Sequence, residues 1–565
     1  FQMAATTMLI VEDMPPEYTA DLCRSIREVP GVNSALWISD AAGIQIPREF
    51  LPEELREMFF SGDATMMIVQ YENPGASEET MAAIDQVRSL CNEKCFLAGF
   101  SVVIKDTKDL VDAELPLYVG LAVLLSLIVM AVTMESWLLP IAFLLSIGMA
   151  ILYNFGTNIF LGEISYITKA IAAVLQLGVT MDYSIFLYHR YGEERQHYED
   201  NRDAMAVAIQ AAFTSLSTSS LTTVAGFVAL CFMRLLLGRD IGIVMAKGVV
   251  LGVATVIFVL PAILLLLDGP IRRHTHRTFM PDLSKANRFV IRHRKAFFAV
   301  FLLTFIPAVY GQNHAQVYYK LDESLPQDMP SIVATNKLKD DFGMASSHFI
   351  VMGDDLPHYE MAEMLNEMEQ IPGIESVVAY DKFMTDTIPE FFLPREVLDI
   401  CKRDGMQIVM INSAYETASD AVDGQVEALN QILHRYDPEA KMTGEAVLTK
   451  DLIDVTDIDF KVTNYISIVA IFIIIAITFR SLSVPLLLVA AIELAICVNQ
   501  SVPYFGGGVV PFIAPTVIGC VQLGATVDYA ILMTTRFREE LQKGADRETA
   551  ILIAAGAADS SIITS

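Results

Sequence analysis

Long apolar runs alternate with polar stretches along this chain. Runs of about 17–25 apolar residues can cross a lipid bilayer as helices. The pattern predicts ten such spans, at about 115–134, 137–155, 166–188, 204–233, 240–267, 296–311, 462–479, 483–500, 511–534 and 548–565. Two long polar stretches remain, 1–114 and 313–460. The sequence therefore predicts a polytopic α-helical membrane protein.

The polar stretches have an α/β pattern. In the first stretch, short β-rich runs predict strands at 6–11, 32–38, 65–70 and 99–104, between helical patterns at 16–28, 50–60 and 77–94. In the second stretch the same alternation falls at 348–352, 358–370, 374–379, 395–403, 407–411 and 421–435. This order predicts two small ferredoxin-like units. They contain no Gly-rich phosphate loop, HExxH or GxSxG motif, so an enzyme site is not expected there.

The strongest signal in the chain is an internal repeat. LQLGVTMDY ends at Tyr183 and VQLGATVDY ends at Tyr529, so the aspartates of the two copies are offset by 528 − 182 = 346 residues. Outside these motifs, Gly99 corresponds to Gly444. Comparison of the copies leads us to expect twelve spans in the native protein, six in each repeat. Six is an even number, so both copies should share one orientation in the membrane.

Composition and charge support this interpretation. Hydrophobic residues make up 53% of the chain and charged residues 19%, against roughly 25% charged residues in soluble domains. A net charge of −28 argues against nucleic-acid binding, which needs a basic face. Segment 270–295 holds eight Lys or Arg residues and one acid, which is typical of a cytosolic loop. Stretch 1–114 holds twenty acids and eight bases, which suits the opposite side.

Two acids lie inside apolar spans at equivalent places, Asp182 and Asp528, and each is followed by a tyrosine. An acid at the bilayer centre costs about 2.5–3.5 kcal/mol. In parallel repeats the two helices can face each other, so that Tyr529 reaches Asp182 and Tyr183 reaches Asp528. Burial favours the neutral form of a carboxyl group, so such groups can load and release a proton near neutral pH. The alternative is an acid pair that only holds helices together.

Hydroxyl residues crowd one span between Thr214 and Thr223. Ser215, Ser219 and Thr222 share a helix face at i, i+4 and i+7. They are candidates to support a proton relay, and close helix packing through small residues is the alternative.

Other polar residues have simpler interpretations. Lys169 lies thirteen residues before Asp182, about 20 Å along a helix, and is interpreted as an anchor at the outer face. Cys91 and Cys95 are four residues apart in a polar helix. Two free thiols are favoured there over a disulfide, and no metal site is expected.

The motifs GVTMDYSIF and GATVDYAIL resemble the fourth and tenth helices of the RND superfamily. The Asp-Tyr pair is similar to that of its MMPL branch, also called hydrophobe/amphiphile efflux-3. In that family such pairs relay protons, which implies this role for Asp182, Tyr183, Asp528 and Tyr529. The resemblance implies a secondary active transporter, not an enzyme, in the cytoplasmic membrane of a bacterium. Its cargo would be a lipid or an amphiphilic molecule, and its energy source a proton gradient without a bound cofactor.

The same resemblance divides the chain into porter domains and bundles. We expect an incomplete first porter domain at 1–114, five spans at 115–268, a basic cytosolic linker at 269–295, the first span of the second repeat at 296–312, a second porter domain at 313–460 and a truncated second bundle at 461–565. Both porter domains should be extracytosolic, with an apolar groove between them.

Two other functions remain as alternatives, a sterol- or lipid-sensing protein of the Patched type and a protein-export motor of the SecD/SecF type. Membrane lipids are expected partners, and accessory proteins and the oligomeric state stay open.

Overall fold

The computed structural model describes residues 5–39, 56, 59–162, 164–278, 283–319, 325–344, 346–383 and 402–564. The chain forms two compact units, and each unit takes segments from both halves of the sequence. Unit 1 comprises Phe1–Leu110 and Tyr319–Asp454, and unit 2 comprises Val111–Tyr318 and Val455–Ser565.

Helices account for most of the described residues. In chain order they are α1 (Pro16–Arg27), α2 (Glu78–Leu90), α3 (Phe100–Thr133), α4 (Leu138–Gly156), α5 (Tyr166–Glu194), α6 (Asn201–Leu230), α7 (Leu236–Phe258), α8 (Leu260–Arg273), α9 (Ser284–Arg292), α10 (Arg294–Asn313), α11 (Pro330–Phe342), α12 (His358–Glu369), α13 (Tyr380–Phe383), α14 (Asp420–Tyr436), α15 (Glu445–Phe479), α16 (Ser483–Gly506), α17 (Ala514–Gln542) and α18 (Arg547–Thr564). A short 3₁₀-helix, Thr157–Phe160, follows α4.

The strands are short by comparison. They are β1 (Thr6–Glu12), β2 (Val32–Leu36), β3 (Phe60–Ser61), β4 (Ala64–Tyr71), β5 (Cys95–Ala98), β6 (Val317–Tyr318), β7 (Ser346–Gly353), β8 (Ile374–Ala379), β9 (Lys402–Arg403), β10 (Met406–Ser413), β11 (Lys441–Gly444) and β12 (Val510–Pro511). In unit 2, β6 and β12 pair in parallel.

Unit 1 contains two antiparallel sheets with the same topology. The first has the strand order β2-β4-β1-β5, with β3 paired to β4, and the second has the order β11-β7-β10-β8, with β9 paired to β10. Along the chain, each sheet follows a β-α-β-β-α-β order with one short additional strand. The internal repeat of the sequence is therefore also a repeat of strand pairing.

Helices cover both faces of the first sheet. In β1, Leu9 and Val11 pack with α1 and α2, whereas Met8 and Ile10 point to the other face, as the two-residue period of a strand requires. That second face is covered by α11, which comes from the other half of the chain. The first sheet is therefore buried on both faces, in the region where the sequence predicts an apolar groove.

One predicted strand, at 99–104, is wrong. β5 ends at Ala98, and α3 begins at Phe100. Gly99 separates them with φ of +126°, a conformation that residues with a Cβ atom rarely adopt. Val102 and Val103 are buried helix residues, and a short apolar run cannot distinguish the two cases. The predicted segments 50–60 and 395–403 lie largely outside the described residues.

The predicted membrane character is confirmed, although fewer helices qualify as spans than the ten predicted. Eight helices of the described chain are long and apolar enough to cross a membrane: α3, α4 with its 3₁₀ extension, α5, α7, α10, α15, α16 and α17. A ninth is counted if α6, bent by 42° between Asn201–Phe213 and Ser215–Leu230, is one span. The predicted span at 548–565 corresponds to α18, whose 18 residues include three charged ones, and it is not in this set. The chain is a multi-pass membrane protein.

Cys91 and Cys95 are free thiols in this structure. They flank a turn in which the Cys95 amide donates to the Asn92 carbonyl at 3.1 Å. A hydrogen bond from Cys91 lowers the pKa of Cys95 to about 7, against the opposing effect of burial. The same hydrogen bond raises the pKa of Cys91. Because the thiolate is the reactive form of cysteine, these shifts predict that Cys95 is the more reactive thiol of the pair.

Replacing Gly444 by alanine should destabilise unit 1. Gly444 has φ of +135°, and a Cβ atom there would lie 2.5 Å from the Ser347 carbonyl oxygen. Such strain costs about 1–3 kcal/mol, so Gly444→Ala should lower the unfolding temperature measured by differential scanning fluorimetry. Gly424→Ala is the matched control, since Gly424 lies in α14 with open space around it. Equal melting temperatures for both variants would contradict the strain argument.

Alkylation should distinguish the two thiols. Because the thiolate is the nucleophile, iodoacetamide should modify Cys95 with a rate that rises between pH 6 and 8 and then levels off. Cys91 should react slowly over the same range. Mass spectrometry of the peptide that contains both residues measures this, with Cys95→Ser and Cys91→Ser as controls. A Cys95 alkylation rate whose midpoint lies near pH 9 would contradict the lowered pKa of this thiol.

Candidate functional site

The two intramembrane acids lie near the middle of equivalent helices in unit 2. Asp182 is 16 residues from the start of α5, and Asp528 is 14 residues from the start of α17. At 1.5 Å per residue these positions are about 24 Å and 21 Å along helices of 29 residues. The matched depth follows from the repeat, because both helices keep the same register around their aspartates.

A direct hydrogen bond joins the two repeats at this depth. The Tyr529 hydroxyl donates to Asp182 Oδ2 at 2.6 Å. This contact between residues 347 positions apart is one of the two that the parallel arrangement predicts. It is short, as expected for a hydroxyl that donates to a carboxylate.

The second predicted contact has a different geometry. The hydroxyls of Tyr183 and Thr223 lie 3.2 Å apart, and either can donate. The single Thr223 proton is also within reach of the Ser219 carbonyl at 3.1 Å and the Gly524 carbonyl at 3.3 Å. Tyr183 in turn interacts with Ser219 and Asp528 as well as with Thr223. Asp528 Oδ1 is buried and accepts no hydrogen bond within the described residues.

A cavity lies between the two acids. It is lined by Asp182, Tyr183, Ile185, Phe186, Ser215, Leu216, Ser219, Asp528, Tyr529, Ile531 and Leu532. It offers about 50 Å³ to the centres of water molecules, which is room for a few waters. Ser219 interacts with both Asp528 and Tyr183. The site therefore combines two carboxyl groups, two phenols and two serine hydroxyls around a small cavity.

Small residues bring the helices of the two repeats together above this cavity. A Cβ atom on Gly226 of α6 would lie 2.9 Å from the Cys520 carbonyl oxygen and 3.2 Å from the Gly524 Cα of α17. Close backbone approach through glycine is a common way to join helices in membranes. Gly178, which has the place of Gly524 in the first repeat, has open space around it. The close contact described here is the one between α6 of the first repeat and α17 of the second.

Of the three hydroxyl residues predicted to support the proton relay, two line the cavity. Ser215 and Ser219 line the cavity. Thr222 instead donates to the Ser219 carbonyl of its own helix at 2.6 Å, and it is not among the cavity residues. Thr223, one position further, makes the contact with Tyr183. The Thr214 side chain lies outside the described part of the structure.

Repeated ion pairs border a second, wider cavity at the far ends of α5 and α17. Arg190 pairs with Glu193 at 2.8 Å, and Arg536 pairs with Glu539 at 3.2 Å. The cavity measures about 610 Å³. Arg190 lies eight residues after Asp182, or about 12 Å along the helix. The carboxyl site is therefore within a short distance of a charged, open vestibule.

Several polar residues inside the spans were not identified as candidates from the sequence. Lys247 of α7 donates to the Asn154 carbonyl at 3.0 Å and to the Asn158 side chain. Asn154 donates to Gln176, which donates to the Gly248 carbonyl. Glu493 of α16 is a further intramembrane acid. The signal that singled out Asp182, a polar residue within an apolar run, could have found each of them.

Lys169 is far from the acid pair. It forms an ion pair with Asp112 at 3.2 Å, and both residues are exposed.

Comparison with known proteins assigns the family. Residues 25–289 and 323–565 match the model of the MMPL family. The chain belongs to the MMPL family. The match covers most of the chain and includes both Asp-Tyr motifs, so the resemblance to the RND superfamily and its MMPL branch is confirmed.

Relatives of this MMPL chain are distant. It is 26% identical over 475 residues to ActII-3 of Streptomyces coelicolor, which covers 80% of this chain and 63% of that protein. It is 21% identical over 447 residues to "Membrane protein YdfJ" of Bacillus subtilis, covering 74% of this chain and 59% of the relative. It is 24% identical over 229 residues to "Probable transport protein MmpL12" of Mycobacterium tuberculosis, covering 38% and 20% respectively. The chain thus spans less than two thirds of the length of these curated relatives.

The glycine contact gives a structural prediction for this MMPL chain. Gly226→Ala should separate α6 from α17, because the opposing atoms are backbone atoms that cannot rotate away. The unfolding temperature should fall. In a double variant that carries Ser219→Cys and Asp528→Cys, the disulfide between the two introduced cysteines should also form less readily when Gly226→Ala is present. Gly148→Ala is the matched control, because Gly148 of α4 has open space at its Cβ position, and it should leave both unchanged. Unaltered cross-linking in Gly226→Ala would refute the role of this contact.

Proposed function

We propose that this chain carries out proton-driven export of a lipid or another hydrophobic or amphiphilic molecule across the cytoplasmic membrane of a bacterium. The observation that carries the proposal is the hydrogen bond from Tyr529 to Asp182 between the two repeats, next to Asp528. Membership in a family that includes a relative named as a transport protein supports it. No enzymatic step or bound cofactor is part of this proposal.

The two carboxyl groups differ in a way that suits a relay. Asp182 accepts a hydrogen bond from Tyr529, which stabilises a charged carboxylate. A buried carboxylate oxygen is costly when no group donates a hydrogen bond to it. Asp528 Oδ1 has no such donor within the described residues, so a protonated, neutral Asp528 fits this site best. We infer that the structure corresponds to a state with one proton, held on Asp528. Ser215 and Ser219 would support proton movement through the cavity between Asp182 and Asp528, with water filling the cavity.

Proton movement can then be coupled to helix packing. Transfer of the proton from Asp528 to Asp182 would favour exchange of the roles of Tyr183 and Tyr529, and each arrangement fixes a different contact between the repeats. One elementary charge crossing 100 mV provides about 2.3 kcal/mol. That free energy changes a two-state population ratio by roughly fifty-fold. The vestibule near Arg190 and Arg536 would lead the proton to the cytosol.

The α/β segments fit the porter domains of such an exporter. We propose that 1–114 and 313–460 form ferredoxin-like porter domains outside the cytosol, consistent with their β-α-β-β-α-β order and shared strand order. The basic segment 269–295 would be the cytosolic linker, and 115–268, 296–312 and 461–565 would supply spans of a twelve-span protein. Cargo would move along an apolar path, since exposing apolar surface costs about 25 cal/mol per Å².

Neutralising either carboxyl group should abolish transport. Asp182→Asn and Asp528→Asn keep the side-chain shape but cannot carry a transferable proton. In proteoliposomes with an imposed pH gradient, each should lower proton flux, reported by internal pyranine, at least tenfold. Movement of a fluorescent NBD-phospholipid, followed by dithionite quenching, should fall equally. Asp112→Asn is the control, because Asp112 is an exposed acid paired with Lys169.

The outcomes separate the competing functions. Near wild-type proton flux in either aspartate variant would overturn the relay. Lipid binding that persists in both variants, without any proton flux in the native protein, would favour a lipid sensor of the Patched type instead.

A further inference from the structure

Glu493 is an acid of the helical unit that the Asp-Tyr pairs do not use. It lies in α16, ten residues after Ser483, in the run LLLVAAIELAICV. Its Oε1 atom is buried and accepts no hydrogen bond within the described residues. An intramembrane acid is costly and is a functional-site hypothesis by default. A buried carboxyl oxygen that receives no hydrogen bond is stabilised when the group binds a proton or a ligand.

The groups around Glu493 are weakly polar. Cys497, one turn along the same helix, and Cys520 of α17 lie within electrostatic range of its carboxyl group. Cys520 also shares a 3.4 Å hydrogen bond with Ser467 of α15. In the described parts of α10, α15 and α17, which pack around α16, no charged side chain interacts with Glu493.

A small polar cavity connects to this neighbourhood at Cys520. Gln312, Asn464, Gln500 and Thr516 supply its other polar side chains. It offers about 10 Å³ to the centre of a water molecule, which is close to the space that one water needs. The Thr516 hydroxyl, in a residue that is 3% exposed, has no hydrogen-bond partner within the described residues. An unpartnered buried hydroxyl on a cavity of this size indicates a bound water.

This polar set is specific to the second repeat. In α4 and α16 the offset is 345, as Pro140 and Pro485 show, so Glu493 corresponds to Gly148; in α5 and α17 the offset is 346, so Thr516 corresponds to Ala170 and Cys520 to Val174. The first repeat folds with apolar residues at these three positions, so helix packing does not require the polar ones.

We propose that Glu493 is a third proton-binding carboxyl group of the helical unit, after Asp182 and Asp528, and that water in the cavity beside Cys520 and Thr516 connects it with the end of the bundle where α10 ends. A proton fits better than a metal ion. Glu493 is the one carboxylate there, and the described residues contain no cluster of three His, Cys, Asp or Glu side chains. Hard cations require about six to eight oxygen ligands, whereas a proton needs one.

The proton site itself is independent of the exporter mechanism. Its contribution to transport rests on the proposed function, in which it would accept a proton on the way to Asp528 or carry an additional one. The tests therefore include one readout on Glu493 alone and one on proton flux.

Chemical labelling tests the proton site directly. N,N′-dicyclohexylcarbodiimide reacts with protonated carboxyl groups in apolar surroundings. In the purified full chain at pH 7, peptide mass spectrometry should find Glu493 labelled, and labelling should decrease toward pH 9. Asp112, which is exposed and ion-paired, should stay unlabelled, and Glu493→Gln should remove the adduct. Absence of labelling at Glu493 at pH 7, or labelling that does not change with pH, would overturn the inference even if transport by the Asp-Tyr pairs is established.

A pair of isosteric variants tests the water path. Thr516→Val replaces the cavity hydroxyl by a methyl group, and Thr463→Val makes the same change at another buried, unpartnered hydroxyl of the unit that does not line the cavity. Proton flux in pyranine-loaded proteoliposomes should fall at least threefold in Thr516→Val and stay within twofold in Thr463→Val. Equal fluxes in the two variants would exclude the cavity as the path. If Asp182→Asn still transports protons, the proposed relay fails, while labelling of Glu493 still decides the proton site.

Discussion

The close approach of α6 and α17 is the contact on which the candidate site depends. In a bilayer, association of helices gains little from hydrophobicity, because lipid tails are as apolar as side chains. Backbone contact at Gly226 and Gly524 provides the necessary packing. It also brings Thr223 of one repeat to the Gly524 carbonyl of the other. Without this proximity, a tyrosine on one repeat could not reach an aspartate on the other.

The number of available hydroxyl protons then limits what the site can do. Each phenol and each alcohol donates one hydrogen bond. Tyr529 donates to Asp182, and the single proton of Tyr183 has Thr223, Ser219 and Asp528 as neighbours. Stabilisation of an Asp528 anion by Tyr183 therefore competes with the other hydrogen bonds that Tyr183 can make. This competition is a physical reason for the site to have two distinct states, and it follows from the contacts rather than from any assumed motion.

Much of this could be predicted from the sequence, because a repeat carries three-dimensional information. The matched Asp-Tyr motifs predicted that Tyr529 reaches Asp182, since parallel copies place equivalent helices face to face. Details that depend on rotation about a helix axis could not be predicted. Thr222 and Thr223 differ by 100° around α6, and packing against Gly524 selects Thr223. The strand predicted at 99–104 failed because Val102 and Val103 fit either a strand or a helix, and the decisive feature is the conformation of Gly99.

The two repeats differ in sequence, and this difference has a consequence for how the architecture can evolve. In a homodimer of identical six-helix subunits, every substitution appears twice, so both acids would keep the same set of neighbours. Covalent fusion of the two copies removes that restriction. A glutamate can be introduced at position 493 of one copy while the other copy keeps Gly148 at the equivalent place. A single chain can therefore give its two aspartates different neighbours, so that one of them binds a proton before the other. A symmetric dimer of identical subunits cannot encode such a difference in its sequence.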